Sequence, residues 1–359
     1  MTQTIASKAP PLAAAGEQAL LPYPASWIDR LMSSVQRLPL PYGITYAILF
    51  VLEVLVLHVL GWIDGTLPLF TFHQLYLLFP LWIWGPLTIM TYLDEVALHA
   101  LIEFQPLMGK HKTEIPRLQY ELTTLPARSV WISALLWAVV FAIVMYVGFP
   151  VVVRQYSYGP LAIASAWIFG LFSYAFGSVV YYHTIRQLRL VSRTLAMVER
   201  VNLFHLDPVY AFARLTAQTG VSWLLLAAVT LMIFPFELVN VTVVAQYVTQ
   251  VLFALGAFVL PLWNVHQRLV TEKRRLLAAV SRRQETAIGR LHKALDEDDM
   301  SRVKEIDTGL AGLASERNLL SAVPTWPWRA ATFSGFVSAL VLPIMLFLIQ
   351  LAIRNWLGF

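Results

Sequence analysis

The chain has 359 residues, of which 58% are hydrophobic, 13% are charged and none is cysteine. Soluble domains carry about 25% charged residues, whereas here runs of about 20 apolar residues recur, each long enough to span a hydrocarbon core. The composition is that of an integral membrane protein. It excludes disulfides and cysteine chemistry, and a net charge of +5 spread along the chain argues against nucleic acid as a partner.

In chain order, residues 1–40 read as an N-terminal tail carrying Lys8, Arg30 and Arg37. Residues 1–25 hold no apolar run, so no cleavable signal peptide is expected. Seven crossings follow, at Pro41–Trp62, Leu75–Leu93, Ser129–Phe149, Leu161–Tyr182, Val221–Val241, Val243–Trp263 and Phe333–Asn355. The first carries two ionisable residues, Glu53 and His58, which fall on different faces of a helix. Such residues are expensive inside a membrane and mark candidate sites, Glu53 for a proton or ion. The fifth and sixth crossings leave room only for a tight turn at Val241 and Thr242.

Of the 26 Lys and Arg residues, all but Arg154 and Arg354 fall in the N-terminal tail or in the second-to-third, fourth-to-fifth and sixth-to-seventh connections. Basic residues mark the cytoplasmic side, so the expected topology has the N-terminus inside and the C-terminus outside. Inward helical extensions are expected over 94–128 and 183–219, because the apolar spacing of Ile185, Leu188, Val191, Leu195 and Val198 runs past the membrane boundary. Residues 264–330 read as a helical hairpin and elbow. Leu269, Leu276 and Val280 begin one stripe, running without a breaker from the sixth crossing, and Val303, Ile306 and Leu310 begin the other. The acidic run "DEDDM" (296–300) turns between them, and "PTWPW" (324–328) sets an angle before the last crossing, 331–359. Leu276 and Leu310 are the candidate hub contacts between subunits.

Aromatic residues in the outer halves of several crossings (Tyr76, Trp82, Tyr146, Trp167 and Tyr247) suggest an apolar pocket for a small organic ligand. No Walker motif, GxSxG elbow or metal-ligand spacing occurs, and His111 and His205 have no second ligand near them in sequence. No enzyme, catalytic residue, metal or cofactor is expected. In the last crossing, Leu346, Phe347, Gln350 and Arg354 share a face at spacings of three and four. Apolar residues beside a Gln350 ring suit a pore with a dewetting gate.

The layout resembles that of the insect odorant and gustatory receptor superfamily of seven-helix ion channels. "PIMLFLIQL" (343–351) matches that family's final-helix signature in its five apolar residues and Gln350, and departs from it at Pro343, Ile344 and Leu351. The resemblance implies an all-α, polytopic fold whose cytoplasmic extensions form an anchor-like domain joining four subunits. It also implies a central pore lined by the last helix. The expectation is a homotetrameric ion channel, multi-pass in the plasma (inner) membrane, whose partners are itself, the lipid bilayer, ions and a small organic ligand. A carrier coupled through Glu53, or a non-conducting receptor or scaffold, remains open as the alternative.

Overall fold

The N-terminal tail is where structure first adds to the sequence reading. In a computed structural model describing residues 22–156, 158–197, 203, 206–234 and 241–357, the tail contains a helix, α1 (Trp27–Gln36). Its start is a capping box: the Ser26 side chain accepts from the Asp29 amide while the Asp29 carboxylate accepts from the Ser26 amide. Ile28, Met32 and Val35, at spacings of four and three, are its buried face.

Ten further α-helices follow among the described residues: α2 (Tyr42–Ile63), α3 (Leu78–Phe104), α4 (Ile115–Thr123), α5 (Ala127–Tyr156), α6 (Pro160–Ala196), α7 (Asp207–Ile233), α8 (Val241–Val259), α9 (Trp263–Asp296), α10 (Met300–Ala322) and α11 (Ala330–Leu357). The only extended pairing among these residues is an isolated bridge between Ala25 and Pro126. Six of the helical segments are long and apolar enough to cross a membrane. The described apolar stretch of α11, Ala330–Pro343, is shorter.

Three boundaries differ from the sequence expectation. The fifth crossing ends at Ile233, not Val241, because Pro235 follows and the residue before a proline is pushed out of the helical region. Val241 and Thr242 are therefore the first residues of α8 rather than a turn. The sixth crossing does have a breaker: Pro261 lacks an amide hydrogen, and the chain passes through a 3-10 turn, Leu260–Leu262, into α9. By contrast α6 runs unbroken for 37 residues, as its apolar spacing required.

The described chain divides into two compact units. The first holds residues up to Leu98 and His111–Thr184, with a core that includes Ile28, Leu87, Met90, Leu93 and Phe141. Asp64, just beyond α2, accepts hydrogen bonds from the amides of Thr66 (3.0 Å) and Ala162 (2.7 Å), and the Thr66 hydroxyl accepts from the Gly159 amide (2.7 Å). This clasp seats a carboxylate at the N-terminus of α6, where the helix dipole favours negative charge. Burial pushes the Asp64 carboxyl up, but its hydrogen bonds from Thr66 and Ala162 outweigh that and hold it below the usual range.

The second unit holds His99–Lys110, Ile185–Met232 and the residues from α8 onward. Its central element is α7, 61% of whose apolar window is buried, against 17% for the α5 window in the first unit. The hairpin of α9 and α10 is present, with Asp299 capping α10 by accepting from the Arg302 amide. Lys273 on α9 donates to the carbonyls of Ser321 and Val323, which fixes the pairing of the two arms.

Candidate functional site

Between α2 and α3 the first unit carries a seam of polar side chains at matched levels. Tyr42 donates to Glu95 (3.4 Å), Tyr46 shares a hydrogen bond with Thr91 (3.2 Å), and the Trp84 indole donates to Glu53 Oε2 (2.6 Å). The members on α2 are spaced four and seven residues apart, and those on α3 four and seven in the reverse sense. That is the register of antiparallel helices meeting along one face. Thr88 lies in the longer interval, its hydroxyl donating to the Trp84 carbonyl (2.8 Å). The seam is graded: Tyr42 and Glu95 are half-buried, whereas Tyr46, Thr91 and Glu53 are buried at 1%, 0% and 8% exposure. Glu53 Oε1 is enclosed and meets no hydrogen-bond partner.

His58 closes the other end. Its Nε2 accepts from the His73 amide (3.1 Å), so its proton sits on Nδ1, which donates to the Val54 carbonyl (2.8 Å). The ring stacks on Phe72 at 5.0 Å. Burial, with His58 beside it, holds the His73 imidazole below its usual value.

Three ionisable residues set within the first unit, the buried Asp94 and His183 and the half-buried Asp29, escaped the sequence reading. Asp94 and His183 are joined at 2.8 Å, with His183 2% exposed. Asp29 accepts from the Ser26 amide and hydroxyl and from the Leu125 amide. Burial raises the Asp29 carboxyl, and the hydrogen bonds from Ser26 and Leu125 counter it only in part. Asp94 and His183 lie one residue beyond the expected ends of the second and fourth crossings, where a charged residue reads as a boundary rather than as a site.

In the second unit the elbow "PTWPW" is a stack of rings. His266 on α9 lies flat on Trp326 (3.9 Å, 13°), Trp326 on Trp328 (4.4 Å), and Trp328 on Phe258 of α8 (4.8 Å). Phe258 stacks in turn on Phe336 of α11 (4.3 Å). His266 Nδ1 lies 3.1 Å from the Thr325 carbonyl, and Arg329 pairs with Asp207 of α7 at 2.6 Å while covering the Tyr210 ring. Gly220 on α7 is needed here: a Cβ would stand 2.5 Å from Phe336 and 2.9 Å from the Ala254 carbonyl. The elbow thus ties the root of α11 to α7, α8 and α9.

The remaining candidate residues fall as follows. Leu276 and Leu310 are half-buried in the hairpin. Tyr76 packs on His58 and His73, Trp82 lies against Gly177, Trp167 meets Phe141 edge-on, Tyr146 is 82% exposed, and Tyr247 is half-buried on α8. The contacts of Tyr76, Trp82 and Trp167 run to these other residues of the first unit. The backbone positions of Leu346, Phe347, Gln350 and Arg354 belong to α11, and their side chains lie outside the described residues, as does His205. No group of His, Cys, Asp and Glu suited to a metal occurs among the described residues. No family model, curated protein or solved structure matches the chain.

Proposed function

We propose that the protein is a homo-oligomeric ion channel, a tetramer by the resemblance of its layout, with the last helix lining a central pore. The observation that carries this reading is the way α11 is held. Its root is fixed by the ring stack at Phe336, 3% exposed, while beyond it Val341, Met345 and Leu348 are 44%, 49% and 51% exposed. These residues, with Ala352 and Trp356, form one exposed stripe at spacings of three and four. Position 350 is about two and a half turns on from Val341 and so falls on the opposite side of the helix. A helix with an apolar stripe for lipid or neighbouring crossings, and a polar residue on its other side, suits the wall of a narrow passage.

The side bias of Lys and Arg supports an N-inside, C-outside topology in the plasma membrane. In that topology the α9–α10 hairpin extends into the cytoplasm, where its half-buried Leu276 and Leu310 suit contact with other subunits. The elbow is then the joint through which movement of the hairpin reaches the pore helix. The test is current across planar bilayers containing the purified protein. Passive conductance that changes in Gln350→Ala supports the reading. Saturable, gradient-coupled uptake without conductance replaces it with a carrier.

A further inference from the structure

We propose that Glu53 is a proton-binding site at mid-depth of the membrane, loaded from the Tyr42 end of the polar seam and closed at the His58 end. Glu53 stands near the middle of the 22-residue α2, about 16 Å from either end at 1.5 Å per residue. It is 8% exposed, so it faces the interior of its unit rather than lipid. From α3 the group that meets it is the neutral Trp84 indole, and no ion pair with it occurs among the described residues. One hydrogen bond does not replace the water that a carboxylate loses at this position. The enclosed Oε1 is the atom left without a partner.

The seam supplies the route. Tyr42, Tyr46, Thr91 and Thr88 each carry a hydroxyl, and a hydroxyl passes a proton by accepting on its oxygen while giving up its own hydrogen. A proton crossing the longer interval, between Tyr46 and Glu53, needs water to bridge it. The half-buried Glu95 stands at the mouth, and the buried Asp94 lies beside it in sequence on the same helix. A hydronium ion entering there leaves as water, and the carboxylate of Glu53 becomes the neutral acid; release reverses the step. On the other side His58 has both ring nitrogens engaged, and taking a proton on Nε2 requires breaking its bond from the His73 amide. Access is therefore one-sided. This inference is independent of whether α11 conducts.

The test uses the full-length protein in lipid vesicles at neutral pH. Infrared spectra should show the carbonyl band of a protonated, unsolvated carboxyl, absent in Glu53→Gln and retained in Glu95→Gln. Dicyclohexylcarbodiimide, which adds to protonated carboxyls in apolar surroundings, should modify the peptide bearing Glu53 and no peptide of the Glu53→Gln protein. On transfer to heavy water, the deuterium shift of the band should slow about tenfold or more in Tyr46→Phe, since a proton-passing group is lost, and stay at the wild-type rate in His58→Ala. An ionised Glu53 in the wild type, with no such band and no adduct, overturns the site. Exchange slowed by His58→Ala but not by Tyr46→Phe overturns the direction of access.

Discussion

The α2–α3 seam and the elbow at the root of α11 both place polar chemistry among apolar helices, and they do so by different means. In the seam polar side chains are matched in pairs across the facing helices, and at the buried Trp84–Glu53 pair removing the indole leaves Glu53 Oε2 without that donor. In the elbow the rings supply the contact area, and the polar atoms of His266 and Lys273 engage backbone carbonyls. The contrast separates two kinds of dependence. The seam depends on pairing, which a double substitution can restore; the elbow depends on volume, which only another ring can refill.

The largest expected effect is at the elbow. Phe258 is 2% exposed and stacks on both Trp328 and Phe336. Phe258→Ala should destabilise by about 3–5 kcal/mol, through lost contact and the cavity left behind. Thermal unfolding in detergent measures this, and a loss below about 1 kcal/mol would show that the stack is not packed as a unit.

The seam should break more mildly and be repairable. Trp84→Phe removes the donor to Glu53, costing about 1–3 kcal/mol, because a buried acceptor is left unmade. Adding Glu53→Leu removes that acceptor and should return most of the loss. A double variant no more stable than Trp84→Phe alone would put the cost in the indole's packing instead.

A smaller, pH-dependent effect belongs to the Asp64 clasp. Its folded-state pKa lies below the ordinary value, since the hydrogen bonds from Thr66 and Ala162 outweigh burial. Its stabilisation is thus present above the ordinary carboxylate pKa and lost as pH falls through the folded one. Unfolding temperatures of the wild type and Asp64→Asn should differ at neutral pH and converge in acid. The smallest effect is expected at Arg329 and Asp207, an exposed pair worth about 0.2–1 kcal/mol. Arg329→Ala should shift stability little, and a large loss would mean that the guanidinium works through the Tyr210 ring.

The sequence was readable where one helix alone decides the outcome. The bounds of α2 lie one residue from those read from hydropathy, the continuity of α6 follows from its apolar spacing, and the turn before α10 follows from its acidic run. It was less readable where the outcome depends on a second element. The stretch 183–219 reads as helical extension, but where one helix stops and the next begins within it was not legible; α7 starts at Asp207. Helix α1 was passed over because ten residues are too few to cross a membrane, and its apolar face is recognised only once Ile28, Met32 and Val35 are buried. The partners of Glu53 were invisible for the same reason: Trp84 and Thr91 are ordinary members of an apolar run until helix register sets them opposite α2. Glu53 and His58 themselves stood out, since charge within a crossing needs no context to be noticed.

The central claim is that α11 lines a conducting path. Because the chain has no cysteine, Gln350→Cys gives a single reactive thiol. Recording current through the reconstituted Gln350→Cys protein while adding a charged methanethiosulfonate reagent tests the claim directly. The account predicts that current falls in discrete steps, one per subunit, and recovers on reduction. Complete modification of the thiol with current unchanged would contradict it.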